Sequence, residues 1–406
     1  MDLSRDQRTT LARPPVAALL AEAVALFLAL RIGLSLLGAL VATTGVWGPC
    51  HFEEALVGWR TMPELLRDGP AFPLAGIWER WDACWYMKIA TYGYEPGERS
   101  VAFFPLYPAL VRSAGTLTTL PYPVAGLIVS AAGYVAAMTG LLRLVSETHG
   151  VRAARWTVRF LSVFPAAFFL LAPFSEAVFL ATAVWCLVFA RERRWSLALL
   201  FGALAGLARA QGLLLALPLA WEAFLALREA RAAGRIQTPA ELGRVMLTAA
   251  AALAPVAAFL AFGLAARALT GETPIDAQSL WGGTEFHPPW VAAAAAASWA
   301  IDRGDGIEAI NLAALLGSAA LLVAGARRMP LTYSLYAWPP LLLIATRVQP
   351  TPLTSTTRYV LVLFPIFVVA ALLTERRPRL RWGWLIVSSI LLVALATIFL
   401  QGDFVA

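Results

Sequence analysis

Apolar segments long enough to cross a lipid bilayer recur along almost the whole chain, and no other feature constrains the fold as strongly. A transmembrane α-helix needs about 20 predominantly apolar residues, and only helices and closed barrels satisfy all backbone polar groups inside lipid. Of the 406 residues, 60% are hydrophobic and 14% are charged, whereas an ordinary soluble domain carries about 25% charged residues. The sequence therefore predicts an all-α, polytopic transmembrane bundle that forms a single domain over residues 1–406.

About eleven membrane-spanning helices are predicted from these segments. The apolar run that starts at Val16 is far longer than the apolar core of a signal peptide, so it is interpreted as a retained first helix. Two long segments, 44–122 and 267–306, remain as loops, and the tryptophans of the first suggest helices lying in the membrane interface. The predicted spans are 16–43, 123–145, 156–172, 177–190, 195–208, 212–227, 245–266, 307–326, 331–346, 359–374 and 383–401.

The arginines predict how these helices are oriented. Basic residues concentrate in the short cytoplasmic loops of membrane proteins, and here they cluster in every second connection. The net charge of +7 is therefore a topology signal and not an indication of nucleic-acid binding. The N-terminus is predicted to be cytoplasmic, and the C-terminus and both long loops to lie outside. The clusters are Arg5, Arg8 and Arg13; Arg152, Arg155 and Arg159; Arg191, Arg193 and Arg194; Arg228, Arg231, Arg235 and Arg244; Arg327 and Arg328; and Arg376, Arg377, Arg379 and Arg381.

The stretch 195–227 allows two interpretations. It is either one long helix or a hairpin that turns at Arg209-Ala210-Gln211-Gly212. A single helix would place the last three arginine clusters outside, so the hairpin is favoured. Lysine occurs once, at Lys88, and arginine elsewhere, which is typical of GC-rich bacterial genomes and indicates a bacterial plasma membrane.

The first outer loop contains a carboxylate among aromatic side chains. Asp82 lies between Trp81 and Trp85-Tyr86, and a carboxylate next to side chains that exclude water can act as a general base. Asp82 could instead cap a helix over 83–92 that ends at Gly93. The two roles are compatible, and the sequence leaves both open.

Three more charged residues fall at the outer ends of predicted helices. Glu176, Arg209 and Arg358 belong to separate connections but share one membrane level. A charge at this depth is costly enough to suggest function, although arginines also extend harmlessly to the interface. Arg31 lies near the middle of the first span, where a structural ion pair is the favoured interpretation.

The cysteines and histidines do not indicate a metal site. No CxxC or Cys/His spacing is present, and His51, His149 and His287 lie far apart in the sequence. No metal or other cofactor is therefore assigned. Cys50 and Cys84 both fall in the first outer loop, so a disulfide between them is left open.

A series of short motifs follows in order over most of the chain. The motifs are Trp81-Asp82, Trp85-Tyr86, Ile89-Ala90 and Gly93-Tyr94; Phe103-Phe104-Pro105-Leu106-Tyr107-Pro108; Phe164-Pro165; Pro173-Phe174-Ser175-Glu176; Arg209-Ala210-Gln211-Gly212; and Arg358-Tyr359 with Phe364-Pro365. In these motifs the chain resembles the PIG-V-like mannosyltransferases, which add the second mannose of GPI anchors and have many bacterial relatives. The first-loop motif is the most specific part of the likeness.

The resemblance implies a GT-C-type glycosyltransferase that uses a polyprenyl-phosphate sugar as its donor. It places an acidic residue of the first outer loop near the reaction centre, and by position this residue is Asp82. Eukaryotic relatives tend to have histidine where this chain has Trp85, so the chemistry on the acceptor side is expected to differ. The acceptor would be a lipid, a glycan or a protein, and a GPI precursor is not expected in a bacterium.

Transfer from such a donor needs a base for the acceptor hydroxyl and a cationic clamp for the departing phosphate. Asp82 is assigned as the base, and Arg358 with Arg209 as the phosphate ligands, because guanidinium groups match phosphate oxygens. A single displacement would invert the anomeric centre. The predicted supporting residues are Trp81, Trp85, Tyr86, Phe104, Tyr107, Glu176, Gln211 and Tyr359.

Two other functional classes are considered. A lipid or solute transporter, or a flippase, would explain the spans and Arg31, but not the long aromatic outer loop, and transporters often contain repeats. A degenerate relative that serves as a partner subunit would not need Asp82 and both arginines.

Overall fold

The structure is a computed structural model that describes residues 15–45, 63–67, 69–234, 238–280, 285–348 and 351–405. In its first half the helices are α1 (Val16–Ala42), α2 (Glu64–Arg67), α3 (Asp82–Tyr92), α4 (Leu106–Thr118), α5 (Tyr122–His149), α6 (Val151–Ser162), α7 (Glu176–Arg191) and α8 (Trp195–Ala208). The second half contains α9 (Ala216–Ala232), α10 (Pro239–Thr270), α11 (Pro274–Leu280), α12 (Pro289–Arg303), α13 (Gly306–Gly325), α14 (Leu331–Ala345), α15 (Thr356–Leu361), α16 (Pro365–Thr374) and α17 (Pro378–Gln401). Short 3₁₀ turns cover Phe72–Leu74, Gly76–Trp78, Ser100–Ala102, Ala167–Leu170 and Ala210–Leu215.

The predicted helical membrane fold is confirmed at this level. Six helical segments of the described chain are long and apolar enough to cross a membrane, and three shorter apolar helices accompany them. The count of eleven spans stays a prediction. The six long segments are Val16–Ala42, Tyr122–His149, Ala210–Ala232, Pro239–Thr270, Gly306–Gly325 and Pro378–Gln401.

Outside the helices, Glu285–Phe286 (β1) pairs antiparallel with Arg347–Val348 (β2). This pairing connects the second long loop to the segment that follows α14.

The turn at Arg209 is confirmed. Arg209 has an extended backbone (φ −158°, ψ 156°) that ends α8, and the Gly212 amide donates to the Arg209 carbonyl at 2.9 Å. A Cβ on Gly212 would lie 2.1 Å from the Ala205 carbonyl oxygen. In a continuous helix, residues 205 and 212 would lie about 10 Å apart along the axis, so the chain must fold back here.

The prediction of one span over 156–172 is wrong. The helix α6 ends at Ser162, and the chain continues through irregular backbone and the 3₁₀ turn Ala167–Leu170 before α7 begins at Glu176. Residues 166–177 are all buried, and irregular backbone is tolerated at membrane depth where protein surrounds it. The predicted span 359–374 is likewise broken into α15 and α16, with Pro365 starting the second.

Polar contacts gather the predicted inner connections at one end of the bundle. Arg143 at the end of α5 pairs with Glu192 after α7, and Arg193 pairs with Glu229 of α9 at 3.3 Å. The His149 ring nitrogen Nε2 lies 3.0 Å from the carbonyl of Arg328. Four arginine-bearing connections that are distant in sequence therefore meet at the same end, as the charge pattern predicts. The assignment of this end as cytoplasmic stays a prediction.

Three glycines at seven-residue intervals let α5 approach α7 and the segment before it. A Cβ on Gly133 would lie 3.0 Å from the Ala177 backbone, and one on Gly140 would lie 2.9 Å from the Val184 side chain. Gly126 similarly faces Pro173. Small residues at a helix interface allow such close packing inside a membrane. This contact fixes the start of α7, and with it Glu176, relative to α5.

The described part of the first long loop packs into the protein. Trp78 and Trp85 are buried, at 0% and 2% exposure, so these two side chains face the protein; Trp47 and Trp59 lie outside the described residues. The position of this loop's helices in the membrane interface stays a prediction. Arg31 is not held by an acid in the described chain, contrary to the predicted ion pair. It donates to the Leu74 carbonyl and faces the Trp78 ring at 5.1 Å, which anchors the loop on α1.

The cysteines differ in their state. Cys84 of α3 is disulfide-bonded, whereas Cys186 is free and buried in α7. Cys50, the other member of the pair considered from the sequence, lies outside the described residues.

Cysteine labelling tests the predicted orientation. We expect single cysteines in the outer connections to react with a membrane-impermeant thiol reagent in intact cells, and those in the inner connections to react only after permeabilisation. Labelling of the position after α9 in intact cells, without labelling of the position before α15, would contradict the predicted orientation. The outer variants are Pro96→Cys, Ile275→Cys and Thr351→Cys; the inner variants are Ala153→Cys, Ala233→Cys and Leu380→Cys.

Candidate active site

Four charged side chains from separate parts of the chain meet at the end opposite the arginine-bearing connections. Arg358 of α15 contacts Asp82 through Nη1 and Glu176 through Nε. Arg209 contacts the same Glu176 oxygen, Oε1, through its own Nη1. We call Asp82, Glu176, Arg209 and Arg358 the ion-pair cluster. It brings together the four charged residues selected from the sequence, although Arg358 and Asp82 are 276 positions apart.

The ion-pair cluster is neutral overall and mostly buried. The exposed fractions of the side chains are 27% for Asp82, 10% for Arg209, 8% for Arg358 and 0% for Glu176. A buried charge is tolerated only when it is paired and hydrogen-bonded, and Glu176 provides this for both arginines. Asp82 is the most exposed of the four side chains, so an incoming anion or hydroxyl would meet Asp82 first.

The local structure fixes Asp82 at the start of its helix. The interpretation of Asp82 as an N-cap is wrong, because Trp81 is the cap residue and Asp82 is the first residue of α3. Its carboxylate binds Arg358 and is still favourably placed near the positive end of the helix dipole. The helix ends at Gly93, whose φ of 86° matches the predicted C-terminal glycine.

The C-terminal residues hold the backbone next to Asp82. Trp81 has φ 51° and ψ −122°, a conformation that is costly for a residue with a side chain. Its indole Nε1 donates to the Asp403 carbonyl at 3.2 Å, and its ring meets Phe404 edge-on at 5.0 Å. These contacts maintain the strained turn that presents Asp82. They also place the end of α17 at the same end of the bundle as the first loop, in agreement with the predicted alternation.

Ser175 belongs to the site but was not selected from the sequence. Its Oγ accepts a hydrogen bond from Arg209 Nη1 at 3.1 Å and lies 2.8 Å from the Tyr86 hydroxyl. Burial raises the pKa of Tyr86 to about 12, so Tyr86 stays protonated and can donate to Ser175. Its sequence signal was its place in the motif Pro173-Phe174-Ser175-Glu176, directly before Glu176.

We expect Ser175→Ala to lower the stability of the protein moderately. Loss of the hydroxyl leaves the Tyr86 hydroxyl and one Arg209 donor without this partner, a change that costs about 1–3 kcal/mol of stability. Ser130→Ala is the matched control, because its partner Tyr107 keeps a second bond, to the Gly126 carbonyl at 2.8 Å. Thermal unfolding in detergent measures both variants, and equal midpoints for the two would contradict a special role for Ser175.

Aromatic rings cover the guanidinium groups. The Arg358 guanidinium carbon lies 5.1 Å from the Phe169 ring centre and 4.8 Å from that of Phe174. The Arg209 guanidinium lies 5.8 Å from the Tyr359 ring. Such cation–π contacts stabilise the charges and keep water from the buried side of the site. Tyr359 therefore lies beside the ion-pair cluster, as selected from the sequence, and Phe169 was missed.

The first-loop aromatic residues divide into two groups. Trp85 stacks on Phe103 with ring centres 5.7 Å apart, and Tyr86 meets Phe103 and Tyr107 edge-on at 5.5 and 5.0 Å. These rings form one aromatic layer, which contacts Ser175 through the Tyr86 hydroxyl. Phe104 does not join it and packs instead against α10, 5.2 Å from Phe262. The structure thus brings Trp85, Tyr86 and Tyr107 together and places Phe104 elsewhere.

Gln211, two residues after Arg209, lines a small cavity. The cavity is about the size of one water molecule, and Phe179, Tyr336 and Leu363 also line it. Both amide atoms of Gln211 are buried and have no hydrogen-bond partner among the described residues, and the same holds for Glu176 Oε2. Buried polar atoms of this kind normally bind a water molecule or a ligand.

No family model, curated protein or solved structure matches the chain. The residues themselves must therefore support any functional assignment. In the described part of the chain, no group of three or more histidine, cysteine, aspartate or glutamate side chains is arranged to hold a metal ion.

Proposed function

We propose that this protein is a membrane glycosyltransferase that transfers a sugar, mannose, from a polyprenyl-phosphate donor to an acceptor hydroxyl. One observation carries the proposal: the Asp82 carboxylate, the most exposed group of the ion-pair cluster, contacts the Arg358 guanidinium. The proposed base and the proposed phosphate ligand therefore lie side by side. The motifs around Asp82, Glu176, Arg209 and Arg358, which resemble those of the PIG-V-like mannosyltransferases, support the same assignment and a GT-C-type fold.

Arg358 and Arg209 would bind the donor phosphate. Their guanidinium groups converge because both contact Oε1 of Glu176, and guanidinium forks match phosphate oxygens. In the neutral cluster, Arg358 Nη1 is occupied by Asp82. The phosphate would take the place of the carboxylate on Arg358, which releases Asp82 at the moment when the donor arrives.

The released Asp82 carboxylate would act as the general base. The acceptor oxygen attacks the anomeric carbon, and its proton passes to Asp82. The bond between the anomeric carbon and the phosphate oxygen breaks, and its electron pair leaves with polyprenyl phosphate. The two arginines stabilise the negative charge that develops on that phosphate. A single displacement of this kind inverts the anomeric centre.

The proposed setting follows from the arginine pattern. The protein would be a multi-pass protein of a bacterial plasma membrane, with a cytoplasmic N-terminus and the active site on the extracytoplasmic face. The acceptor is a lipid, a glycan or a protein that carries a free hydroxyl. The aromatic layer of Trp85, Tyr86 and Tyr107 beside Asp82 supports a site that holds a sugar or a lipid and excludes water.

A direct assay tests this function. Membranes that contain the protein are incubated with radiolabelled polyprenyl-phosphate mannose, and we expect label to move into an acid-stable product. Membranes with Asp82→Asn are the control. A transporter or flippase would move the donor between the two leaflets and leave the mannose on its lipid phosphate, and that outcome with the wild-type protein would contradict the proposal.

A further inference from the structure

The backbone that leads into Arg358 is irregular and buried. Ser355 has a φ of 65°, and the flanking Leu353, Thr356 and Thr357 are 2%, 0% and 1% exposed. Backbone N–H groups in such a place need partners, because neither water nor lipid supplies them. A local helix does not satisfy them, since α15 begins only at Thr356.

A neighbouring helix satisfies these groups with two side chains. Glu308 of α13 accepts from the Leu353 amide at 2.7 Å through Oε1. Asn311 accepts from the amide and from the hydroxyl of Thr357, both at 3.1 Å, through Oδ1. Glu308 and Asn311 are 1% and 2% exposed and lie one turn apart, so they face the same side of α13.

Polar side chains buried in an otherwise apolar helix are costly, and they commonly serve function. The bonds of Glu308 and Asn311 go to the backbone on both sides of Ser355, at positions five and one residues before Arg358. These bonds therefore fix the position of the Arg358 backbone and the direction in which its side chain points. An arginine must be held in this way if its planar fork is to meet a phosphate.

We infer that Glu308 and Asn311 are positioning residues that hold Arg358 in the geometry for binding the donor phosphate. The inference rests on the proposed function, in which Arg358 is a phosphate ligand. Neither side chain touches the donor in this arrangement. Both act through the segment 353–357, whose place relative to the ion-pair cluster they determine.

A double-mutant cycle tests the inference. The measurement is the dissociation constant of a polyprenyl-phosphonate mannose analogue with purified full-length protein in detergent. We expect Asn311→Leu, which removes the acceptor and keeps the number and branching of side-chain heavy atoms, to weaken binding about 10-fold in the wild-type background. In the Arg358→Ala background it should have an effect of less than about 2-fold, because coupled residues are not additive.

Three further variants sharpen the cycle. Glu308→Gln keeps an acceptor oxygen for the Leu353 amide and should bind the analogue nearly as well as wild type. Ser318→Ala changes another buried polar residue two turns along α13 and should leave affinity unchanged. Thr357→Val removes one of the two bonds to Asn311, and it replaces Asn311→Leu in the cycle if the leucine variant does not fold.

The outcomes separate this inference from the proposed function. If Arg358→Ala weakens binding of the analogue and Asn311→Leu causes no further loss of affinity in that background, the result supports both the phosphate site and the positioning role. If Arg358→Ala weakens binding but Asn311→Leu has the same fold effect in both backgrounds, the positioning role is overturned and the phosphate site stands. Unchanged affinity in the Arg358→Ala single variant overturns the phosphate site and the inference together.

Discussion

Asp82→Asn is expected to give a folded, membrane-inserted protein whose rate of sugar transfer is at least about 100-fold lower than that of wild type. This loss is the usual contribution of a general base. Asparagine has nearly the same shape and can still accept a hydrogen bond from Arg358, but it does not accept the proton of the acceptor hydroxyl. The measurement is single-turnover transfer from radiolabelled polyprenyl-phosphate mannose by purified protein.

Asp82→Asn should not reduce the affinity for the donor, in contrast to its effect on the transfer rate. Asp82 occupies Arg358 Nη1 in the ion-pair cluster, so removal of its charge also removes a competitor of the phosphate. The affinity of Asp82→Asn for a phosphonate analogue of the donor should therefore equal or exceed that of wild type. Asp403→Asn is the matched control, since Asp403 is an exposed carboxylate at the same end of the bundle. Near-normal turnover by a correctly inserted Asp82→Asn protein would remove Asp82 as the base.

The second large effect is expected at Arg358. Arg358→Ala should weaken binding of the phosphonate analogue by about 2–5 kcal/mol, the usual cost of truncating one partner of a buried charged contact. Arg358→Lys keeps the charge but loses the planar fork, so affinity and turnover should both fall, by less than in the alanine variant. Titration of detergent-purified proteins with the analogue measures both changes.

A surface arginine provides the control for Arg358. Arg303 at the end of α12 is exposed, and its guanidinium lies 3.5 Å from the Trp299 ring. Arg303→Ala removes an equal charge and should leave the affinity unchanged. Equal affinity of wild type, Arg358→Lys and Arg358→Ala would show that Arg358 does not bind the phosphate, and Arg209 would then be the first candidate to examine.

The sequence determined the class of fold and the charged members of the site. Apolar length alone requires helices, because lipid leaves backbone groups without partners. Arg209-Ala210-Gln211-Gly212 interrupts an apolar stretch with polar residues and a glycine, and the chain turns back there. Glu176, Arg209 and Arg358 stood out because charges at membrane depth are rare, and they lie together in the structure.

Only the tertiary structure decided how these residues are held. The apolar stretch 156–172 was predicted to be one span because the sequence does not reveal where neighbouring parts of the protein surround an irregular backbone and bond its polar groups. Ser175, Glu308 and Asn311 carry no distinctive spacing, and their roles depend on partners 34 to 89 positions away. The sequence favoured an ion pair for Arg31, and the structure shows that its guanidinium donates to the Leu74 carbonyl. The hydropathy and charge of each segment are properties of its own residues, so they can be determined from the sequence alone. Hydrogen bonds between distant segments exist only once packing has brought donor and acceptor within about 3 Å.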